Sequence, residues 1–371
     1  MLHHQYIIND KYVIQDRDLF NSLISGLVPT GAIFGALIAG PLTQYGRRFA
    51  LISTSCVYIF FCIVSTVFDF YALVASRFMM GLCVGAYATI SPLMISEVVP
   101  KSLSGPLGVM TQFLAVTGIV FALALSFMVP YSGTEAADTT QTWRLIFGFP
   151  GTVISVQLAL LLFVFKYDTP KYYNDKNDKE NHDNIMSCIY SDYSWTSNCS
   201  DDSELQSEVP VVEAKTHHQS STNMKALAVG VLLSIFHQTT GISSVTFYSN
   251  EIFSAGQSGQ EAELTARVGT FCTGIVAVIA AGAAIPISKS FGRKSILLVG
   301  EIIMCGLLGL LFWASLNENI FMVKVLTIVF VFTFNSSFGV VLWPYASEIL
   351  NSKGVTLVAS VNMLATLIFG C

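Results

Sequence analysis

The densest set of side chains able to hold a polar ligand lies where water-loving groups are least expected. Residues Ala226–Asn250 contain no Asp, Glu, Lys or Arg, and the run is long enough to cross a bilayer. Yet it carries His237, Gln238, Thr239, Thr240, Ser243, Ser244 and Tyr248. Hydroxyls, carboxamides and an imidazole are costly in hydrocarbon, so they must face other helices or a water-filled cavity. Gly241 in their midst weakens the helix and lets the backbone bend. A polar, breakable membrane helix is a candidate binding site. His237 has two readings. It is a group that titrates near neutrality and couples the site to pH, or, the favoured one, a neutral donor and acceptor in place of an amide.

Charge is scarce and patterned. Gly46-Arg47-Arg48 and Gly292-Arg293-Lys294 each join two apolar runs through a glycine turn and two cations. About 50 residues beyond each copy an apolar run ends in Ser-Glu, at Glu97 and at Glu348, so the pattern repeats at roughly 250 residues. The cations of one loop and the carboxylate at the end of another helix can pair when that side of a bundle closes. One such pair near the surface contributes little, but several together can hold one of two bundle arrangements. Arg47, Arg48, Glu97, Arg293, Lys294 and Glu348 are therefore candidate inner-gate ion pairs. Metal and redox chemistry find no support. His217-His218 lacks nearby Cys or Asp partners, and six of the eight cysteines (Cys56, Cys62, Cys83, Cys272, Cys305 and Cys371) lie in apolar runs as small filler. Cys188 and Cys199 fall in a polar loop, and no disulfide framework is expected.

The elements that must position these groups are membrane helices. The sequence is 53% hydrophobic and 12% charged, with a mean hydropathy of +0.61. That balance excludes an ordinary soluble domain. Apolar runs occupy Ser22–Gly46, Phe49–Phe68, Tyr71–Ser96, Leu107–Pro130, Leu145–Phe165, Ala226–Asn250, Val268–Ser288, Ser295–Leu316, Val325–Ser347 and Gly354–Cys371. They predict about ten membrane helices of about 20 residues. Lysines and arginines gather on one side if the Arg47-Arg48 turn is placed inside, with Lys101, Lys166, Lys171, Lys215, Lys225 and Lys289 among them. The positive-inside rule then puts residues 1–20 outside and the long 167–224 loop in the cytoplasm. That loop, rich in Asp, Asn, Ser and Lys, predicts solvated short helices or disorder. Its position inside also discounts the Asn198-Cys199-Ser200 glycosylation sequon. Gly26, Gly31, Gly35 and Gly40 lie in one run at a spacing that lets helices approach closely in lipid.

In order, the chain carries Gly46-Arg47-Arg48, Arg77-Phe78-Met79-Met80-Gly81, Pro92-Leu93-Met94-Ile95-Ser96-Glu97, Trp143-Arg144 and Asp168-Thr169-Pro170. Gln238 with Gly241-Ile242, Gly292-Arg293-Lys294, and Trp343 with Glu348 follow. These residues, in this order and spacing, resemble the sugar porters of the major facilitator superfamily, and most of all the hexose transporters of apicomplexan parasites. The resemblance implies an all-α membrane protein with the two-bundle fold and about ten of twelve transmembrane helices, helix 1 and the end of helix 11 onward being absent. It divides the chain into an extracellular segment 1–20, an N-terminal bundle 21–166, a cytoplasmic linker 167–224 and a C-terminal bundle 225–371.

By resemblance, Gln112, His237, Gln238, Ser243, Trp343 and Asn362 bind substrate, and Phe247 and Tyr248 close the outer mouth. Residue chemistry agrees: sugar hydroxyls donate and accept, as carboxamides do, and an aromatic face covers the C–H side of a pyranose. The implied function is facilitative transport of a glucose-like hexose by alternating access, with no enzymatic step. Proton-coupled sugar or polyol symport is the first alternative, and a non-transporting sensor or inactive truncated relic the second. The expected partners are a small sugar and the lipid bilayer, with no nucleic acid, no cofactor and no metal. The expected protein is a monomer that spans the plasma membrane many times. Departures from the family pattern are Thr43-Gln44 before the first glycine turn, Ser104 for an arginine, Ala277 for an asparagine, Val340 for a proline, and Pro344 just after Trp343.

Overall fold

Glycine decides how the first helices meet. In the computed structural model, which describes residues 17–67, 70–99, 101–131, 141–189, 224–350 and 352–370, helix α1 (Arg17–Leu42) crosses α3 (Phe70–Val98) backbone to backbone. A Cβ added at Gly31 or Gly35 would fall on the carbonyl oxygens of Phe78 and Leu82, and one at Gly81 or Gly85 on those of Val28 and Ala32. The expected small-residue packing of the first run is thus present, and it is reciprocal. A 3-10 turn (Thr43–Tyr45) and Gly46 then reverse the chain into α2 (Arg47–Ser65). Gly46 has φ 122°, a value that side-chain-bearing residues rarely adopt. Helices α4 (Lys101–Ser126) and α5 (Thr142–Phe163) complete the first bundle. Ala39, Ala50, Leu51, Ala86, Ile90 and Leu161 form its core.

The start of the linker folds into two short helices, α6 (Pro170–Asp175) and α7 (Lys179–Ile189). Pro170 opens α6, where its missing N–H costs nothing. Asp178 accepts the Asn181 backbone N–H ahead of α7, and its bonds from Asn181 hold its carboxyl below the usual range. These helices match the expected solvated segments. Residues 1–16 and 190–223, which include most of the expected extracellular segment, the sequon and His217-His218, lie outside the described residues.

The second bundle begins with α8 (Met224–Thr239), and the anticipated break follows: Gly241 takes a left-handed φ of 81°. Short helices α9 (Ile242–Phe247) and α10 (Ser249–Ser254) lead to α11 (Gly259–Ser290), α12 (Arg293–Leu316), α13 (Ile320–Ser336), α14 (Phe338–Ile349) and α15 (Ser352–Gly370). Two spans differ from expectation. The apolar run Val325–Ser347 is two helices, not one, broken at Ser337 (φ −127°, ψ −88°). Helix α11 starts at Gly259, well before Val268, because hydropathy marks only the apolar part of a helix whose first turns are polar. The core here is Met304, Leu307, Phe330, Phe334 and Phe338 with Ala277, so the alanine noted as a departure serves packing.

Among the described residues nine helices are long and apolar enough to cross a membrane, and a tenth apolar helix, Gly354–Phe369, is shorter. The chain is a multi-pass membrane protein. The bundles meet along two seams, α1 against α15 and α4 against α11. Gly40 admits Thr356 on the first seam, and Gly274 admits Val120 and Leu123 on the second.

Candidate functional site

The break at Gly241 sets the site. Helix α8 ends just before it, which leaves His237 and Gln238 in the last turn, facing α15. Gln238 Nε2 donates to Asn362 Oδ1 at 2.7 Å. Ser243 Oγ, brought back by the turn into α9, donates to Gln238 Oε1 at 2.6 Å. Three of the residues singled out from sequence, Ser243, Gln238 and Asn362, thus form one polar chain between α8 and α15, and one turn lower Ser234 Oγ donates to Val358 O at 3.3 Å. Gln238 and Asn362 are 5% and 3% exposed, which keeps these amides away from lipid.

The amides are not used up. Each carboxamide has two N–H groups and two lone pairs, so Gln238 retains a donor and an acceptor after its two bonds. Interhelical hydrogen bonds in membranes contribute only about 0.6–1.7 kcal/mol each. A hydroxyl-rich ligand can therefore replace them at small cost. His237 packs its ring 5.1 Å from Phe334 and 5.6 Å from Phe338, centroid to centroid, and its Nδ1 has no partner. The two phenylalanines were absent from the sequence reading. Nothing local marks them, since they lie about a hundred residues away in an ordinary apolar run.

Gln112 and Trp343 lie on α4 and α14, two helices that touch across the bundle boundary. Pro344 presses on Gly108, where an added Cβ would sit 2.6 Å from Pro344 Cγ. Gln112 is one turn along the same face of α4, and Trp343 is the neighbour of Pro344. Both side chains are half-buried. Phe247 and Tyr248, at the end of α9, are exposed at 47% and 48%.

At the end of the bundle that carries the linker, charges close helix termini. Gly46 has no side chain with which to cap α2, and Asp168 does so instead, accepting the backbone N–H groups of Arg47 and Arg48 at 3.0 Å each. Arg47 pairs with Glu97 at 2.6 Å, and Lys171 Nζ is 3.6 Å from the same oxygen. Thr169 Oγ1 donates to the other oxygen at 2.8 Å. Arg48 makes no bond to Glu97. Its guanidinium takes the Leu161 and Phe165 carbonyls that end α5 (2.7–3.1 Å), because those carbonyls lack helical partners. The Arg47–Glu97 pair also lies within the first bundle and does not bridge the two. Lys294 is exposed, while the side chains of Arg293 and Glu348 lie outside the described residues. Thr169 and Lys171 complete this cluster and were not named as gate residues, although the Asp168-Thr169-Pro170 signature pointed to their position.

Comparison with known proteins gives a consistent picture. The family model described as sugar (and other) transporter matches residues 4–371. Hexose transporter 1 of Toxoplasma gondii is 30% identical over 372 residues, which cover 94% of this chain and 64% of that protein. Hexose transporter 1 of Plasmodium knowlesi is 29% identical over 385 residues, 95% of this chain and 74% of that one. The chain thus spans less than two thirds of the Toxoplasma relative. Among solved structures, the proton:xylose symporter XylE bound to 6-bromo-6-deoxy-D-glucose superposes with a TM-score of 0.79 at 21% identity, over 100% of this chain and 85% of the other. The xylose transporter XylE from E. coli, in a partially occluded inward-open form, gives 0.77 at 20% identity, over 100% of this chain and 86% of that one.

Proposed function

The chain belongs to the sugar transporter family of the major facilitator superfamily, and from that premise we propose that it moves a glucose-like hexose across a membrane by alternating access. The observation that carries this reading is the buried chain Ser243–Gln238–Asn362 at the break of α8, to which the reading adds His237, Gln112 and Trp343 as further sugar contacts. An uncharged, hydroxyl-rich ligand matches an uncharged set of donors and acceptors. It is also released easily, since each bond is weak. The ligand enters past Phe247 and Tyr248, and the linker end opens to the cytoplasm. Residues 21–166 and 225–371 are the two bodies that rock, joined by the cytoplasmic segment 167–224. The protein works as a monomer in the plasma membrane and as a facilitative carrier.

The test is counterflow. Protein purified at full natural length and placed in liposomes loaded with unlabelled glucose should accumulate labelled glucose transiently. Uptake should be the same with and without an imposed pH gradient. Accumulation that needs the gradient would make the protein a symporter. No accumulation of any hexose, in vesicles shown to hold folded protein, would remove the transport reading.

A further inference from the structure

Helix α4 ends without the residues that usually finish a helix. The chain continues Phe127-Met128-Val129-Pro130 with neither Gly nor Asn, and tightened turns from Phe127, Met128 and Val129 back to Ala124, Leu125 and Ser126 leave later carbonyls pointing onward. Those carbonyls carry the negative end of the helix dipole. They are taken up by Arg267, from the third turn of α11 in the other bundle. Its guanidinium donates to Ser126 O at 3.2 Å, Val129 O at 2.5 Å and Pro130 O at 3.3 Å. Glu263, one turn earlier, pairs with it, and the Tyr131 ring lies 5.0 Å beneath. The Arg267 side chain is only 13% exposed. Phe127 and Phe271 meet edge to face at 5.5 Å beside it.

We propose that Arg267 is a positioning residue that caps α4 across the bundle boundary and makes the α4–α11 seam the fixed edge about which the bundles rock. Elsewhere among the described residues long-range capping does not cross from one bundle to the other, as with Asp168 of the linker on α2 and Arg48 on α5. At Arg267 separation of the bundles would take the guanidinium from the Val129 and Pro130 carbonyls and leave Ser126 O with only its turn bond from Val129. Five donors in a planar fork suit several carbonyls at once, which a single ammonium does less well. Below the clasp the same seam is tight, with Gly274 against Val120 and Leu123 and Gly282 against Phe113. The seam therefore holds along its length, and the movement required by transport falls elsewhere. The proposal rests on the transport reading above.

Spin-label distances in full-length protein test it, with exposed cysteines replaced by serine. One label pair flanks the clasp at Met128 and Leu264. The other joins the opposite end of the bundles at Tyr45 and Phe291, and all four positions are exposed. On addition of glucose the Tyr45–Phe291 distance should shift, while Met128–Leu264 keeps one narrow distribution. Arg267→Gln should broaden the Met128–Leu264 pair and lower kcat about tenfold with KM nearly unchanged, and Arg267→Lys should recover part of the loss. A Met128–Leu264 distance that shifts in the wild type as much as the other pair overturns the fixed edge and leaves transport standing. If neither pair moves and no hexose is taken up, the transport reading falls and the pivot falls with it.

Discussion

Gln238 and Glu97 show how differently buried polar residues can serve. Gln238 holds Asn362 and Ser243 at once, so Gln238→Ala removes a proposed sugar partner and leaves Asn362 without its donor. We expect sugar uptake to fall at least about tenfold, mainly through KM, because the lost bonds are made to ground state and transition state alike. Wild-type uptake in the variant would take Gln238 out of the site. Glu97 is tied to Arg47, Thr169 and Lys171 with 5% of its side chain exposed. Glu97→Ala strands the Arg47 guanidinium and should destabilise the protein by about 3–5 kcal/mol. Thermal unfolding in detergent should show the loss, and Glu97→Gln, which keeps the bond to Thr169, should recover part of it. An unchanged melting temperature in the alanine variant would mean that the pair contributes nothing to stability. An amide inside an apolar run stands out in sequence, which is why Gln238 was readable, whereas Asn362 was named only by the family resemblance. Phe334, Phe338, Thr169 and the cap formed by Arg48 were not, because each depends on a contact between residues distant in the chain.

At the scale of the helix, apolar run length placed nearly every span, and Gly241 gave away its break. Ser337 did not, since Val325–Ser347 is apolar on both sides and a bent backbone leaves no mark on hydropathy. The glycines of α1 were readable as a packing stripe, but their partners were not. The structure sorts them. Gly35→Ala puts a methyl on the Leu82 carbonyl, and backbone cannot rotate away, so the α1–α3 crossing must spread. We expect about 3 kcal/mol or more of lost stability and little folded protein. Gly118 on α4 is the control, with nothing within 4 Å of an added Cβ. There alanine should be neutral or stabilise by up to about 1 kcal/mol through helix propensity. Equal melting temperatures for the two variants would refute the close crossing.

At the scale of the whole molecule the two seams differ from the ground between them. The α4–α11 seam is clasped at its far end by Arg267 and tight below, whereas at the linker end the bundles also meet at a notch, where Gly108 receives Pro344 beside the packing of Val109 with Val340 and Val341. Pro344 was visible in sequence only as a departure from the family pattern, and its consequence needed the fold. A residue that fits only when that end is closed offers a handle on the conformational equilibrium. Gly108→Val overpacks the closed arrangement alone, at about 1–3 kcal/mol. A penalty confined to one of two states shifts their ratio by roughly 5–150-fold. Gln112, one turn deeper on the same face, reports the outcome. A cysteine at Gln112 should react several-fold faster with a membrane-impermeant maleimide applied from the linker side when Gly108 is valine, and net uptake should fall. Gly108→Ala, which asks Pro344 to yield less, should lie between. Labelling rates that are identical across the three backgrounds would mean that the bundles do not close on this notch, and closure at the linker end would then rest on the α1–α15 seam, where a Cβ added at Gly40 would lie 3.0 Å from Thr356 Oγ1.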